Sequence, residues 1–239
     1  MMLKKLQELK LDEFTVVASL PDMGRVGGLV SSFLSHHLKT RLVAEITSMD
    51  KPWVTYSDGV VKNLVDVYKI FYDKKHNLLV FTGDSQPQDP GELHRLCHTL
   101  LDYLQSVGRV RLLYGAGGYL REQVTGAPRV CVVVNKPELK KIIANSGLEI
   151  VGNEITTITW FNGLILGLSA ERGINGIGLF GEISESSVPQ PLAAKSILTA
   201  FSKMEGVPID TKPLDQHYES ILEELQKKKD PSKFSPGIG

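Results

Sequence analysis

The chain reads as an α/β protein with a mostly parallel sheet covered by helices, and three observations predict this. Apolar runs such as Phe14–Leu20 (FTVVASL), Leu78–Thr82 (LLVFT) and Val130–Val134 (VCVVV) are nearly continuous. Strands of that kind are buried on both faces, as in parallel sheets packed between helices. Segments with helical spacing alternate with these runs. Glycines, 22 in the chain, gather where the strands end.

The elements follow in order. Phe14–Leu20 is a buried strand, broken by Pro21 and Gly24. Val26, Leu29, Val30, Phe33, Leu34 and Leu38 recur at helical spacing, so a helix follows. Arg41–Ile46 is a second strand. Met49–Gly59 is a loop with Pro52, Trp53 and an Asp58-Gly59 turn signal. Val60–Tyr72 is rich in Val, Tyr, Phe and Ile and forms one long strand or two short ones. After the strand Leu78–Thr82, the residues Leu93, Leu96, Cys97, Leu100, Leu101, Leu104 and Val107 trace one apolar helix stripe, stopped by Gly108.

Val110–Tyr114 is the next strand and Gly115–Gly118 a glycine loop after it. Val130–Val134 is a strand, and Pro137–Asn145 a short helix with proline at its first position. Leu148–Ile158 holds short β pieces, and Trp160–Ala170, apolar almost all round, is a buried helix. Ile174–Phe180 is a strand. Pro189–Met204 is a helix stopped by Gly206, and Leu214, Tyr218, Ile221, Leu222 and Leu225 mark a last amphipathic helix. No Pro/Ser-rich linker divides the chain. The expected organisation is one α/β domain over 1–226, with its core at about 14–210, a C-terminal helix at about 214–226 and a flexible tail over 227–239.

Composition excludes several classes. Lys+Arg and Asp+Glu both number 27, so the formal net charge is zero, which argues against a dedicated nucleic-acid binder. Hydrophobic residues at 42% and charged residues at 23% match a globular chain rather than a disordered one. Cys97 and Cys131 are the only cysteines, so no disulfide scaffold forms and a reducing compartment is the simpler reading. The uncharged stretch Ile155–Ala170 has 16 residues, short of the ~20 needed to span a bilayer. The N-terminal MMLKKLQELKLDEF has no apolar signal core. A soluble cytoplasmic protein is expected, without nucleic-acid or membrane partners.

Several motifs invite chemistry. Gly24, Gly27 and Gly28 lie between a strand and a helix, where backbone N–H groups can hold an anion. The spacing is neither a dinucleotide fingerprint nor a P-loop, and glycines that let the helix pack on the sheet explain it more simply. Gly83-Asp84-Ser85-Gln86-Pro87 also follows a strand. A serine hydrolase would need Asp215 and His217 to serve Ser85, but positions two apart on a helix point in different directions, so a turn capped by Asp84 is the reading adopted. His94, Cys97 and His98 lack a third ligand outside the leucine stripe, and no metal is assigned. Gly117, Gly118 and Tyr119 belong to a stretch that can form an anion nest or a tight packing loop. Glu182 and Glu185 read as solvated loop carboxylates. The candidate ligand- or partner-binding residues are therefore Gly24, Gly27, Gly28, Gly83, Asp84, Gln86, Gly117, Gly118 and Tyr119, with no catalytic residue and no cofactor.

Taken together, short motifs between about Phe14 and Asp210 resemble the proteasome assembly chaperone family, in particular its second-chaperone type and single-chain archaeal members. They are Pro52-Trp53-Val54 leading to Asp58-Gly59-Val60, Gly83-Asp84-Ser85-Gln86-Pro87, Gly117-Gly118-Tyr119, Pro128-Arg129-Val130, Asn162-Gly163-Leu164-Ile165-Leu166-Gly167, Leu179-Phe180-Gly181-Glu182 and Ala193-Ala194-Lys195. The resemblance implies a nucleoside-phosphorylase-like α/β fold and a non-enzymatic, ATP-independent role: a homo-oligomer that holds proteasome α-type subunits during ring assembly. Some members end in hydrophobic–Tyr–any residue, whereas this chain ends Gly237-Ile238-Gly239. The alternative is a small-ligand binder or enzyme that holds phosphate or a nucleoside at the glycine-rich strand ends.

Overall fold

The computed structural model describes residues 1–49, 51, 54–144, 146–150, 152 and 155–229. In chain order its elements begin with β1 (Met2–Lys5), β2 (Leu11–Ala18), α1 (Val26–His37), β3 (Thr40–Ser48), β4 (Val54–Ser57), β5 (Val60–Asn63), β6 (Asp66–Asp73) and β7 (Leu78–Gly83). They continue with α2 (Pro90–Val107), β8 (Gly108–Leu120), β9 (Val130–Val134), α3 (Lys140–Ala144), β10 (Glu149–Ile150), α4 (Trp160–Glu171), β11 (Gly176–Ile183), α5 (Pro191–Glu205) and α6 (Lys212–Lys229).

Nine strands form one sheet in the order β1-β3-β6-β7-β2-β8-β11-β9-β10. The centre, β7-β2-β8-β11, is parallel throughout. Antiparallel pairs join β6 to β7, β3 to β6, β1 to β3 and β9 to β11, while β10 runs parallel to β9. The parallel core expected from the apolar runs is thus present, with antiparallel strands on both flanks.

Helices cover both faces. On one, α2 and α4 pack over Phe14, Val16, Phe81 and Leu113. On the other, α1 and α5 pack over Val17, Val80, Tyr114 and Leu179, and α6 lies on α5. Alternate residues of β2 therefore enter opposite cores, which is why the strand reads as a continuous apolar run.

The stripe of α2 is buried along its whole length, including Cys97. Full burial of each such leucine is worth about 1.5–3 kcal/mol. The helix starts because the Asp89 side chain accepts the Glu92 N–H at 2.7 Å and Pro90 needs no partner at the first position.

Several elements depart from the sequence reading. The glycine loop at Gly115–Gly118 does not exist: these residues continue β8 to Leu120 and pair in register with Gly178–Gly181 of β11. Glycine weakens a strand by propensity, but here the close approach of neighbouring groups requires it. β1 and β4 were not expected, whereas Val60–Tyr72, read as one long strand or two short ones, is the two strands β5 and β6. β4 and β5 form a separate hairpin, with Asp58 at φ 52° and Gly59 at φ 79° in its turn. Positive φ at both central residues is the mirror-image turn that suits hairpin twist. Glu182 is not on a solvated loop; it is buried in β11. Trp160 opens α4 with its side chain 46% exposed, so that helix is not buried all round. α6 runs through Lys229, beyond the expected start of the tail, and 230–239 lie outside the described residues, as do Pro52 and Trp53.

Candidate functional site

The parallel strands β2, β7, β8 and β11 all end on one edge of the sheet, where open α/β folds bind their partners. A cleft of about 910 Å³ opens there. Its wall includes Asp22, Arg25, Asp84, Gln86, Tyr119 and Trp160.

The floor is a hydrogen-bonded knot around the end of β2. The Asp22 carboxylate accepts the Gly27 N–H through Oδ1 at 2.9 Å and the Gly118 N–H through Oδ2 at 2.7 Å. Asn162 of α4 bonds Leu20 twice: its Oδ1 accepts the Leu20 N–H at 3.0 Å, and its Nδ2 donates to the Leu20 carbonyl at 3.1 Å. Gln86 donates to the Pro21 carbonyl at 2.6 Å and accepts the Phe161 N–H at 2.9 Å. Ser19 Oγ accepts the Ala116 N–H at 2.7 Å. Helices α1 and α4, strand β8 and the loop after β7 are thus tied to one four-residue segment, Ser19–Asp22.

The glycines make this contact possible. A Cβ on Gly27 would lie 2.5 Å from the Ala116 carbonyl oxygen and 2.6 Å from that of Leu20. One on Gly117 would lie 2.5 Å from Asp22 Oδ2. Burial pushes the Asp22 carboxyl up to about 6, and its hydrogen bonds to Gly27, Gly118 and Asn162 only partly offset that.

Of the sequence-predicted residues, Asp84, Gln86, Gly118 and Tyr119 line the cleft. Gly27 and Gly28 are buried at the start of α1, and Gly28 packs on Pro21. Gly24 is buried in the turn before α1 with φ 62°, its N–H donating to the Ser186 carbonyl at 2.8 Å. Gly83 ends β7 with Tyr68 against its Cα, and Gly117 faces Asp22. The sequence reading missed Asp22, Arg25 and Trp160. Arg25 and Trp160 adopt φ 54° and 59°, a left-handed conformation rare for bulky residues. Such strain gathers at functional sites.

Beside the cleft, Glu182 accepts from Arg129 Nη2 at 2.8 Å and from Arg121 Nη1 at 3.0 Å. The Arg129 hydrogen bonds hold its carboxyl below the usual range. Arg121 also stacks over Tyr119, 5.8 Å from the ring centre.

The hydrolase arrangement is not assembled. Ser85 lines the cleft, whereas Asp215 pairs with Lys195 at 2.7 Å and His217 sits beside His36 and His37 of α1. Among the described residues, no three His, Cys, Asp or Glu side chains are grouped to hold a metal. No helix there is long and apolar enough to cross a membrane.

A model of the PAC2 family matches residues 16–229. The chain belongs to the PAC2 family. Among solved structures, this PAC2 chain is similar to Pyrococcus furiosus PbaB, an archaeal proteasome activator. The identity is 28%, the TM-score 0.82, and the match covers 96% of this chain and 98% of that one. Pyrococcus furiosus PbaA, an archaeal homolog of proteasome-assembly chaperone, shares the fold at 19% identity and a TM-score of 0.76, covering 95% and 96% of the two chains. An uncharacterized protein of Methanocaldococcus jannaschii is 24% identical over 230 residues, covering 94% of this PAC2 chain and 88% of its own length.

Proposed function

We propose that this PAC2 protein is an ATP-independent proteasome assembly chaperone or activator that binds proteasome α-type subunits as a homo-oligomer and is not an enzyme. The observation that carries the reading is the full-length likeness to PbaB, at 28% identity and a TM-score of 0.82, within a family match over 16–229. The site supports it. The N–H groups of Gly27 and Gly118, which a bound phosphate would need, already serve the Asp22 carboxylate. That carboxylate also opposes a second anion in the same place. A nucleoside-phosphorylase-like fold, a single α/β domain and a cytoplasmic location are parts of the same reading.

The test is co-elution of the purified chain with α-type subunits from the same organism, followed by light scattering. A defined complex is expected at micromolar concentrations. Its absence there overturns the reading, and phosphate and nucleosides would then be titrated against the cleft. A chain truncated after Gln226 shows whether residues 227–239 contribute to the complex.

A further inference from the structure

Exposed large apolar side chains are concentrated on one edge of this protein. Thirteen such side chains occur among the described residues; Leu6, Ile142 and Leu222 lie away from the edge where the cleft opens, and Met2 lies at its margin, opposite Thr47 at the end of β3. Met23, Leu120 and Trp160 rim the cleft. Val54, Tyr56, Val60 and Val61 cover the β4–β5 hairpin, with Met49 and Val65 at its base. The hairpin is on the same edge because it connects the end of β3 to the start of β6, where Ser48 pairs with Asp66 and Tyr68 with Gly83, the last residue of β7.

These nine side chains expose 43–73% of their surface. Summed over the hairpin and the cleft rim, this amounts to roughly 800 Å², above the ~300–600 Å² of a typical monomer's largest apolar patch. The hairpin has both faces exposed along all four residues of each strand. An isolated two-stranded hairpin is marginal in water, so this one needs a cover.

We propose that the β4–β5 hairpin of one copy seats in the carboxyl-edge cleft of a second copy of this chain. Shape and charge both select this occupant. The hairpin is a protruding apolar ribbon, and the cleft is an apolar-rimmed concavity of about 910 Å³. The hairpin carries exposed Asp58 at its turn and exposed Lys62 opposite Thr55, while the cleft carries exposed Arg25 and Asp84. Among the described residues none of these four has an ion-pair partner within its own chain. Lys62 is matched to Asp84, and Asp58 to Arg25. The contact is heterologous, with a knob on one copy and a socket on the next, so it propagates into a closed ring or an open chain. The inference rests on the self-associating part of the proposed function and names its interface.

The experiment measures mass by light scattering over a concentration series for the wild type, Tyr56→Asp, Val61→Asp and Leu120→Glu, with circular dichroism to verify folding. Oligomers are expected for the wild type, and at least tenfold weaker association for each variant. Lys62→Glu and Asp84→Lys should each weaken assembly, and the double variant should restore it. A monomeric wild type overturns the proposal, as does a folded hairpin variant of unchanged mass. Cross-linking of Tyr56→Cys to Tyr56→Cys on another copy, and not to Leu120→Cys, also overturns it. Binding of α-type subunits is read on the same samples. A monomer that binds them ends this proposal alone; a hairpin-dependent oligomer that does not bind them ends only the subunit-binding reading.

Discussion

Asp22 accepts the backbone N–H of Gly118 at 2.7 Å across a separation of 96 residues. The same carboxylate accepts the N–H of Gly27, so one side chain joins the turn before α1 to the end of β8. Replacing Asp22 by alanine leaves both N–H groups without that acceptor. A loss of about 1–3 kcal/mol is expected for each buried group left unsatisfied. Urea unfolding of Asp22→Ala measures it, and an unchanged midpoint would show that the bridge contributes nothing.

Acid should act on Asp22 and Glu182 in opposite directions. The Asp22 carboxyl is raised from 3.8 to about 6, so between these values the folded state binds more protons than the unfolded one. Its contribution to stability therefore falls as pH rises from about 4 to about 6, and is level above that. The Glu182 carboxyl is lowered, first by its hydrogen bond from Arg129. Its contribution is fully present above the ordinary carboxylate value of 4.5 and is lost as pH falls through the folded value. Melting temperatures of Asp22→Asn and Glu182→Gln across pH 3–7 separate the two. Relative to wild type, Asp22→Asn should gain stability on going from pH 4 to pH 6, whereas Glu182→Gln should recover relative stability toward pH 3.

Two glycines of α4 should respond oppositely to alanine. A Cβ on Gly163 would lie 2.4 Å from the Ile158 carbonyl oxygen, a clash with backbone that cannot easily yield. Gly163→Ala should cost about 1–3 kcal/mol, the usual range for overpacking. Gly167 is exposed in the same helix with nothing within 4 Å of its Cβ position. Gly167→Ala should add about 0.5–1 kcal/mol by restricting the unfolded chain and favouring the helix. Thermal denaturation of the two variants checks the sign of each.

These glycines also show what the sequence reveals and what it hides. The α2 stripe was legible from its local period, Leu93 through Val107, and the buried strands from their continuous apolar runs. Gly27 and Gly28 were legible as packing glycines, since they open a helix directly after a strand. The continuation of β8 through Gly115–Gly118 was not, because glycine locally signals a loop. The reason for glycine there lies in Asp22 and Phe180, both remote in sequence. β4 was not legible because Val54–Ser57 is only four residues long and stands next to turn signals. Asp22 was passed over because its partners come from α1 and β8, a juxtaposition that only the assembled sheet creates.

Midway along β8 lies Tyr114. It is 1% exposed, and its hydroxyl donates to Glu205 Oε1 at 2.7 Å. Arg111 and Thr15 bond the other carboxylate oxygen, so Glu205 gathers three donors from β2 and β8 at the end of α5. Burial raises the Tyr114 hydroxyl far above the usual phenol range, so it remains a donor at all working pH values. Tyr114→Phe keeps the ring against Phe201, whose centroid is 5.1 Å away, and removes only the hydrogen bond. A cost of about 1.5–3 kcal/mol is expected for a bond to a charged acceptor. Glu205→Gln tests whether that charge matters, and the double variant completes a cycle with about 0.5–3 kcal/mol of coupling for residues in one network. Strict additivity in urea unfolding would show that Tyr114 and Glu205 act independently.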